Sequence, residues 1–401
     1  MSFIYLDNSA TTKPCKEALQ AMEAAMTRLY GNPSSLHCAG SEAAKLLSES
    51  RNEIMSALFG EEIRRFLPMS DIPGAKPNGY GQLFFTSGGT ESDNIAILGT
   101  VERMSVDKPE IITTDSEHPA VLNTVKYLET KGVRAHYLRT VGGVVDEEEL
   151  VSHISKKTVL VSIMHINNET GAVYDVAKLF SAVKKLNPDT VCHTDCVQSF
   201  QKIGFTPETL NADMITISGH KVHGPKGVGA LWVSDRLLKK KIPAATVHGG
   251  GQERNLRSGT ENIPGIAAFA AAVKANGGSS AYRDFTTKTE HLRKLLTDNL
   301  PEECIINSPA GQTAPHIISL SLPVIKSEPV LNLLSSEGVC ISAGSACSSH
   351  GKKISYVLRA FGLDDRTADA TVRVSTDTDT TEEDITVFCE KLRSAVRRMH
   401  R

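Results

Sequence analysis

From about residue 85 to 235 the chain alternates short apolar runs with longer stretches whose apolar positions recur at helical spacing. Ile111-Ile112-Thr113, Val159 to Ile163, the run at Val191, Met214 to Ile217 and Val228 to Val233 are short, β-branched and bounded by polar residues, which predicts buried strands. Glu91 to Met104, Pro119 to Thr130 and Asp175 to Leu186 read as helices between them. Such alternation predicts a mostly parallel sheet with helices on both faces. Ligands of such sheets gather at the carboxyl ends of the strands, and the chemically interesting residues of this region fall there.

After residue 261 the texture changes. Two long helical patterns, Ile263 to Lys274 and Tyr282 to Leu300, flank the break Gly277-Gly278-Ser279-Ser280. A strand at Ile317 to Leu320, a helix from Glu328 to Glu337 and a last helix from Glu382 to Met399, capped by Thr380 or Thr381, complete a second, smaller α+β region. Ile63 to Gln82, rich in proline and glycine, reads as an irregular surface loop.

Composition narrows the function classes. A chain of 401 residues with 40% hydrophobic content buries a large core. Its 44 basic and 46 acidic residues are interspersed and the net charge is -2, which gives no footprint for nucleic acid or a membrane surface. The first residues meet Asp7 before any leader-like apolar run, so a cytoplasmic location is expected. The eight cysteines are widely spaced, as reduced thiols are, with Cys192 and Cys340 reading as small core residues. Cys192-His193-Thr194-Asp195-Cys196 lacks a second ligand pair, and no metal site is expected.

The candidate chemistry centres on Lys221, in Ser218-Gly219-His220-Lys221, on a turn between two predicted strands. A desolvated lysine can form a Schiff base with an aldehyde cofactor, and Ser218 and His220 offer donors to a phosphate. Thr86-Ser87-Gly88-Gly89-Thr90-Glu91 joins a strand to a helix; the Gly89 backbone and Thr90 suit an anion at a helix amino terminus, or an ordinary capped helix start. Asp195, at a strand end and near Gln198, can keep a pyridine nitrogen protonated or cap a helix. His118 can stack on a ring or move a proton, and Asn168 can orient a substrate or make a turn. Cys347 lies among small and polar residues beside His350, Lys352 and Lys353, a setting that favours an exposed thiolate.

Together with Tyr5 to Thr12, Gly31 to His37, Glu117-His118 and Ile163 to Glu169, these runs resemble the cysteine desulfurases of the class V aminotransferase family, fold-type I pyridoxal-phosphate enzymes, over nearly the whole chain. The resemblance implies a large cofactor-binding domain of residues 14–260 and a small domain of residues 1–13 and 261–401 that carries the catalytic cysteine loop. It implies pyridoxal 5'-phosphate on Lys221, His118 stacked on the ring, Asp195 on the ring nitrogen and Gln198 on the phenolic oxygen. Gly89, Thr90, Ser218 and His220 would hold the phosphate, with Thr260 reaching that of the neighbouring subunit in a homodimer. Asn168 and Arg373 would bind the carboxylate of L-cysteine. Cys347 would take its sulfur as a persulfide and leave alanine, and the long loop is similar to that of the subgroup delivering sulfur to iron-sulfur scaffolds and other thiol acceptors. Selenocysteine lyase shares this set of residues; an aminotransferase has no task for Cys347, and a non-catalytic scaffold has no need of Lys221, Asp195, His118 and Cys347 together. Thr376-Asp377-Thr378-Asp379 departs from the family's apolar-glycine-basic-aromatic pattern beside Arg373.

Overall fold

The computed structural model describes residues 3–67, 79–322, 325–344 and 354–399. Its largest element is a seven-stranded sheet of β2 (Gln82–Thr86), β3 (Glu110–Thr114), β4 (Arg134–Leu138), β5 (Thr158–Ser162), β6 (Val191–Asp195), β7 (Met214–Ser218) and β8 (Gly229–Val233). The order is β2-β8-β7-β6-β5-β3-β4. β8 runs antiparallel to both neighbours and the other pairs are parallel. Strands β3, β5, β6, β7 and β8 are buried along their whole length, as expected for a sheet covered on both faces.

Alternation along the strands divides the core. Leu83, Phe85, Ile112, Val161, Cys192, Ile215, Ile217 and Trp232 join one apolar cluster, and Phe84, Ile111, Leu160, Val191, Met214, Leu231 and Val233 join another. The first face packs against α2 (Cys38–Phe59), α6 (Val176–Leu186) and α8 (Ile263–Ala275); the second packs against α3 (Gly89–Arg103) and α4 (Pro119–Glu129). Each buried Ile, Leu or Phe contributes about 1.5–3 kcal/mol by leaving water. Alanines on α8 let α1 (Lys16–Thr27) approach closely through Ala18, Ala268 and Ala272. The two short helices α5 (Glu147–His153) and α7 (Asp235–Lys239) complete this region.

A four-stranded sheet of order β12-β13-β10-β9 follows, built from β9 (Ile305–Ile306), β10 (Ile317–Ser321), β12 (Ser342–Ala343) and β13 (Thr371–Ser375). Helices α9 (Ala281–Asn299), α10 (Ser327–Ser336) and α13 (Glu382–Met399) pack on it through Leu292, Leu296, Val330, Leu334, Ile385, Phe388 and Leu392. Short helices α11 (Tyr356–Ala360) and α12 (Asp365–Asp369) lead into β13. The amino-terminal β1 (Ile4–Tyr5) pairs in parallel with β11 (Val339–Cys340), and Asp7 bridges to Ser375.

The expected strands and helices recur within a residue or two of the ends read from the sequence. Thr381 caps α13, its hydroxyl accepting from Asp384 N while its own N–H donates to the Asp384 carboxylate. Cys340 is half-buried at a short strand, not in the core. The segment expected to be irregular from Ile63 begins with a 3-10 turn, Glu61–Phe66, that buries Ile63; residues 68–78 of it lie outside the described residues.

Candidate active site

Parallel strands deliver their carboxyl ends to one edge, and there a cavity of about 490 Å³ opens. Ser9, Gly89, Thr90, Asp93, His118, Asn168, Glu169, Asp195, Gln198, Ser218, His220, Lys221, Ser355, Tyr356 and Arg373 are among its lining residues. The twelve cofactor, substrate and catalytic residues expected from the sequence divide simply: ten line the cavity, Thr260 is exposed elsewhere on the single chain, and Cys347 lies outside the described residues.

Lys221 ends the 3-10 turn Gly219–Lys221 that connects β7 to β8. Its amine donates to the main-chain carbonyls of Ser9 and Ala10, the latter at 2.8 Å. Burial, followed by the Arg373 and Lys202 charges, pulls its pKa from 10.5 down to about 7. The amine is therefore available as a nucleophile and proton carrier near neutral pH.

Asp195 closes β6, and its Oδ1 accepts from Val197 N at 2.8 Å. The carboxyl of Asp93, on α3, is fully buried beside it. Burial raises the pKa of both, and each ionised carboxylate disfavours the other. Asp195 has the Val197 N–H and the Lys221 charge on its side, so the negative charge settles there and Asp93 holds the proton.

His118 is the N-cap of α4, accepting from Ala120 N through Nδ1 at 3.2 Å. Burial and Lys221 lower its pKa to about 4, so it presents a neutral ring. His220 is likewise neutral, pulled to about 3 by burial and Lys221. Glu117, next to His118, accepts from Met164 N and Thr114 Oγ1, and burial pushes it up to about 8.

Arg373, on β13, is 2% exposed, donating to Asn168 O at 2.9 Å and to Asp7 Oδ1 at 2.8 Å. Asn168 belongs to the turn after β5, in which Asn167 Oδ1 accepts from the backbone of Glu169 and Thr170. Glu169 accepts from Ser355 Oγ at 2.6 Å and would meet a Cβ placed on Gly344 at 2.9 Å. The described residues that flank 345–353 on both sides thus converge on this carboxyl.

Several polar groups of the site are left for a bound molecule to satisfy. Among the described residues, Ser9 Oγ, Gln198 Oε1, Ser218 Oγ and Arg373 Nε are buried without a hydrogen-bond partner, although such groups are rarely left unmade. No described side chain caps α3, so its amino terminus opens at Gly89 and Thr90 toward the cavity. A Cβ on Gly89 would come within 2.9 Å of Val197 Cγ2, so a side chain there would crowd this end. Gln198 gives its amide nitrogen to Ser9 O at 2.9 Å. Asp7, Asp93, Glu117, Glu169, Ser355 and the Ser9 and Ala10 carbonyls had no role expected from the sequence; Asp7, Ser9, Ala10, Glu117 and Glu169 stand in the motifs that carry the resemblance, which was the available signal.

Comparison with known proteins agrees with the architecture. The chain belongs to the class V aminotransferase family, whose model matches residues 4–64 and 75–388. More particularly, it is 37% identical over 402 aligned positions to "Cysteine desulfurase" of Trichormus azollae, covering 100% of this chain and 94% of that relative. It is 36% identical to "Cysteine desulfurase IscS" of Escherichia coli O139:H28, covering 99% and 93% of the two chains. A solved structure of a "NifS-like protein" superposes with a TM-score of 0.86 at 35% identity, over 99% of this chain and 100% of that one. "SspA in complex with cysteine" does so at 0.77 and 29%, over 94% and 99%.

Proposed function

We propose that this protein is a pyridoxal-phosphate-dependent cysteine desulfurase that converts L-cysteine to L-alanine and takes the sulfur on Cys347. The observation that carries the reading is the convergence on one cavity of a lysine with a pKa of about 7, a buried carboxylate, an open helix amino terminus and a buried arginine. Full-length similarity to curated cysteine desulfurases supports it.

In this reading Lys221 holds the cofactor covalently, Asp195 faces its ring nitrogen, His118 its ring face and Gln198 its phenolic oxygen. Gly89, Thr90, Ser218 and His220 hold the phosphate, with Thr260 of a second copy in a homodimer. Bound there, pyridoxal phosphate supplies an electron sink for the bonds at the substrate α-carbon. Arg373 and Asn168 bind the substrate carboxylate, which fixes the α-hydrogen toward the Lys221 amine. Lys221 moves protons between carbon atoms of the substrate because it carries and releases a proton near neutral pH. The Cys347 thiolate attacks the substrate sulfur; the carbon–sulfur bond breaks, the sulfur–sulfur bond forms, and the carbon fragment keeps the electron pair and is protonated to alanine. The balance is cysteine plus enzyme thiol to alanine plus enzyme persulfide, with no external oxidant. An acceptor thiol, such as that of an iron-sulfur scaffold, then removes the outer sulfur. The division into residues 14–260 against 1–13 and 261–401 belongs to the same proposal, supported by the pairing of β1 with β11.

The test is incubation of the purified protein, loaded with pyridoxal phosphate, with L-cysteine while alanine and sulfide are followed. Wild type yields both in the presence of a reducing thiol, Lys221→Ala neither, and Cys347→Ala only traces. Normal yields from Cys347→Ala would overturn the persulfide route.

A further inference from the structure

The segment beside Arg373 that departs from the family pattern carries Asp377, which is 2% exposed. Its Oδ1 accepts from His223 Nε2 at 3.0 Å and from Thr378 N at 2.7 Å. The other ring nitrogen of His223, Nδ1, lies 3.0 Å from the main-chain carbonyl of Lys13. A carbonyl and a carboxylate only accept, so both ring nitrogens must donate, and among histidine's forms only the imidazolium has two N–H groups. The geometry therefore defines a charged His223.

The ring joins three segments. His223 N donates to Thr12 Oγ1 at 2.8 Å and His223 O accepts from Cys15 N at 2.9 Å, while Thr12 N donates to His220 O at 2.9 Å. The stretch 9–15 is thus laced to the Lys221 turn, and its Ser9 and Ala10 carbonyls receive the Lys221 amine. His223 holds φ at 62°, a left-handed conformation that a non-glycine residue adopts only when its surroundings impose it. Asp377 follows β13 by two residues, and Arg373 lies within β13.

We propose that His223 and Asp377 are a positioning pair that keeps the Lys221 turn and residues 9–15 in fixed relation to Arg373, and that loss of the His223 proton releases it. The proposal rests on the reading of Lys221 as the cofactor lysine and Arg373 as the carboxylate ligand. The charged groups around the pair are Asp379 on the histidine side and Lys202 on the carboxylate side, with the neutral Lys13 carbonyl facing Nδ1. Burial pulls the His223 pKa down, but the Asp377 hydrogen bond and charge, the Lys13 carbonyl and Asp379 reverse this and leave it raised. A raised histidine pKa means that the link is complete at lower pH and is lost as pH rises through the folded-state value.

The experiment uses the full-length, pyridoxal-phosphate-loaded protein. Histidine ring nitrogen shifts, the visible band of the bound cofactor, and KM and kcat for L-cysteine are followed against pH in wild type, Asp377→Asn and His223→Gln/Asp377→Asn. Wild-type His223, identified by its loss in the double variant, titrates above the ordinary histidine range, and the cofactor band and KM change over the same interval. In Asp377→Asn all three midpoints move down together by about 1–3 pH units, the range for loss of an adjacent opposite charge, with KM affected more than kcat. The double variant keeps an uncharged amide pair and loses this pH dependence; it also carries the test where Asp377→Asn folds poorly. A His223 midpoint that moves while the band and KM profiles stay put would make the pair merely structural and overturn the proposal. If no form makes alanine, the functional reading fails; the band then still decides the positioning role, which is overturned by identical pH profiles in wild type and Asp377→Asn.

Discussion

The lowered pKa of Lys221 yields a quantitative expectation about the cofactor-free protein. Moving the amine from 10.5 to about 7 corresponds to on the order of 5 kcal/mol less favourable protonation at about 1.4 kcal/mol per pH unit. Burial is the first cause and the Arg373 charge the second, against weaker help from Asp7 and Asp195. Competitive labelling with acetic anhydride from acid to alkaline pH, with the Lys221 peptide quantified by mass spectrometry, reads this directly. Lys221 should label with a midpoint near 7, well below the ordinary lysine value of about 10.4. Arg373→Met should raise the Lys221 midpoint by no more than about one pH unit, because burial and not the neighbouring charge dominates. The linked stability has a definite sign. Between pH 7 and 10.5 the unfolded chain binds a proton that the folded chain does not, so folding stability gains from this residue as pH rises through that window. Lys221→Met should remove that part of the rise. A wild-type Lys221 labelling midpoint at the ordinary lysine value of about 10.4 would refute the account of the site as a desolvated amine.

Three further outcomes are expected. Arg373→Lys, which cannot keep both the Asn168 and Asp7 bonds and a forked contact to a carboxylate, should raise the KM for L-cysteine by about 10–100-fold, as for loss of about 1.5–3 kcal/mol in a charged hydrogen bond. Gly89→Ala should weaken pyridoxal-phosphate retention, measured by equilibrium dialysis, through its clash with Val197, and Val197→Ala should restore it; failure of that rescue would remove the steric explanation. Glu253→Ala should lower stability to denaturant by about 3–5 kcal/mol, since it breaks a buried ion pair: Arg51 makes two 2.9 Å contacts to Glu253, which also accepts from Phe85 N. Replacing both partners, as Arg51→Met with Glu253→Leu, should cost much less.

The strands that form the centre of the large sheet were legible because they are buried on both faces and so read as apolar runs. β4 was not: Arg134-Ala-His-Tyr-Leu is an edge strand with only Leu138 buried, and its pattern carries no strand signal strong enough to separate it from a loop. The cavity-lining residues were legible where local motifs brought several of them together, as at 86–91 and 218–221. Their partners were not. Asp7 meets Arg373 across 366 positions, and Ser355 meets Glu169 across 186; neither pairing has any periodicity or spacing to betray it. Asp377 was in view, in an apparent irregularity, whereas His223 was not. Only their approach within 3.0 Å turns the irregularity into an interaction.

The acceptors of the Lys221 amine are main-chain carbonyls, those of Ser9 and Ala10. That choice separates two kinds of genetic change. Side-chain replacement at either position leaves both acceptors in place, so point substitutions compatible with the local backbone are buffered there. Insertion or deletion of one residue between Asp7 and Thr12 turns successive carbonyls to different sides and misdirects both at once. The segment is thus open to sequence drift and closed to change in length, and its evolvable property is the decoration of the strap, not its count of peptide units.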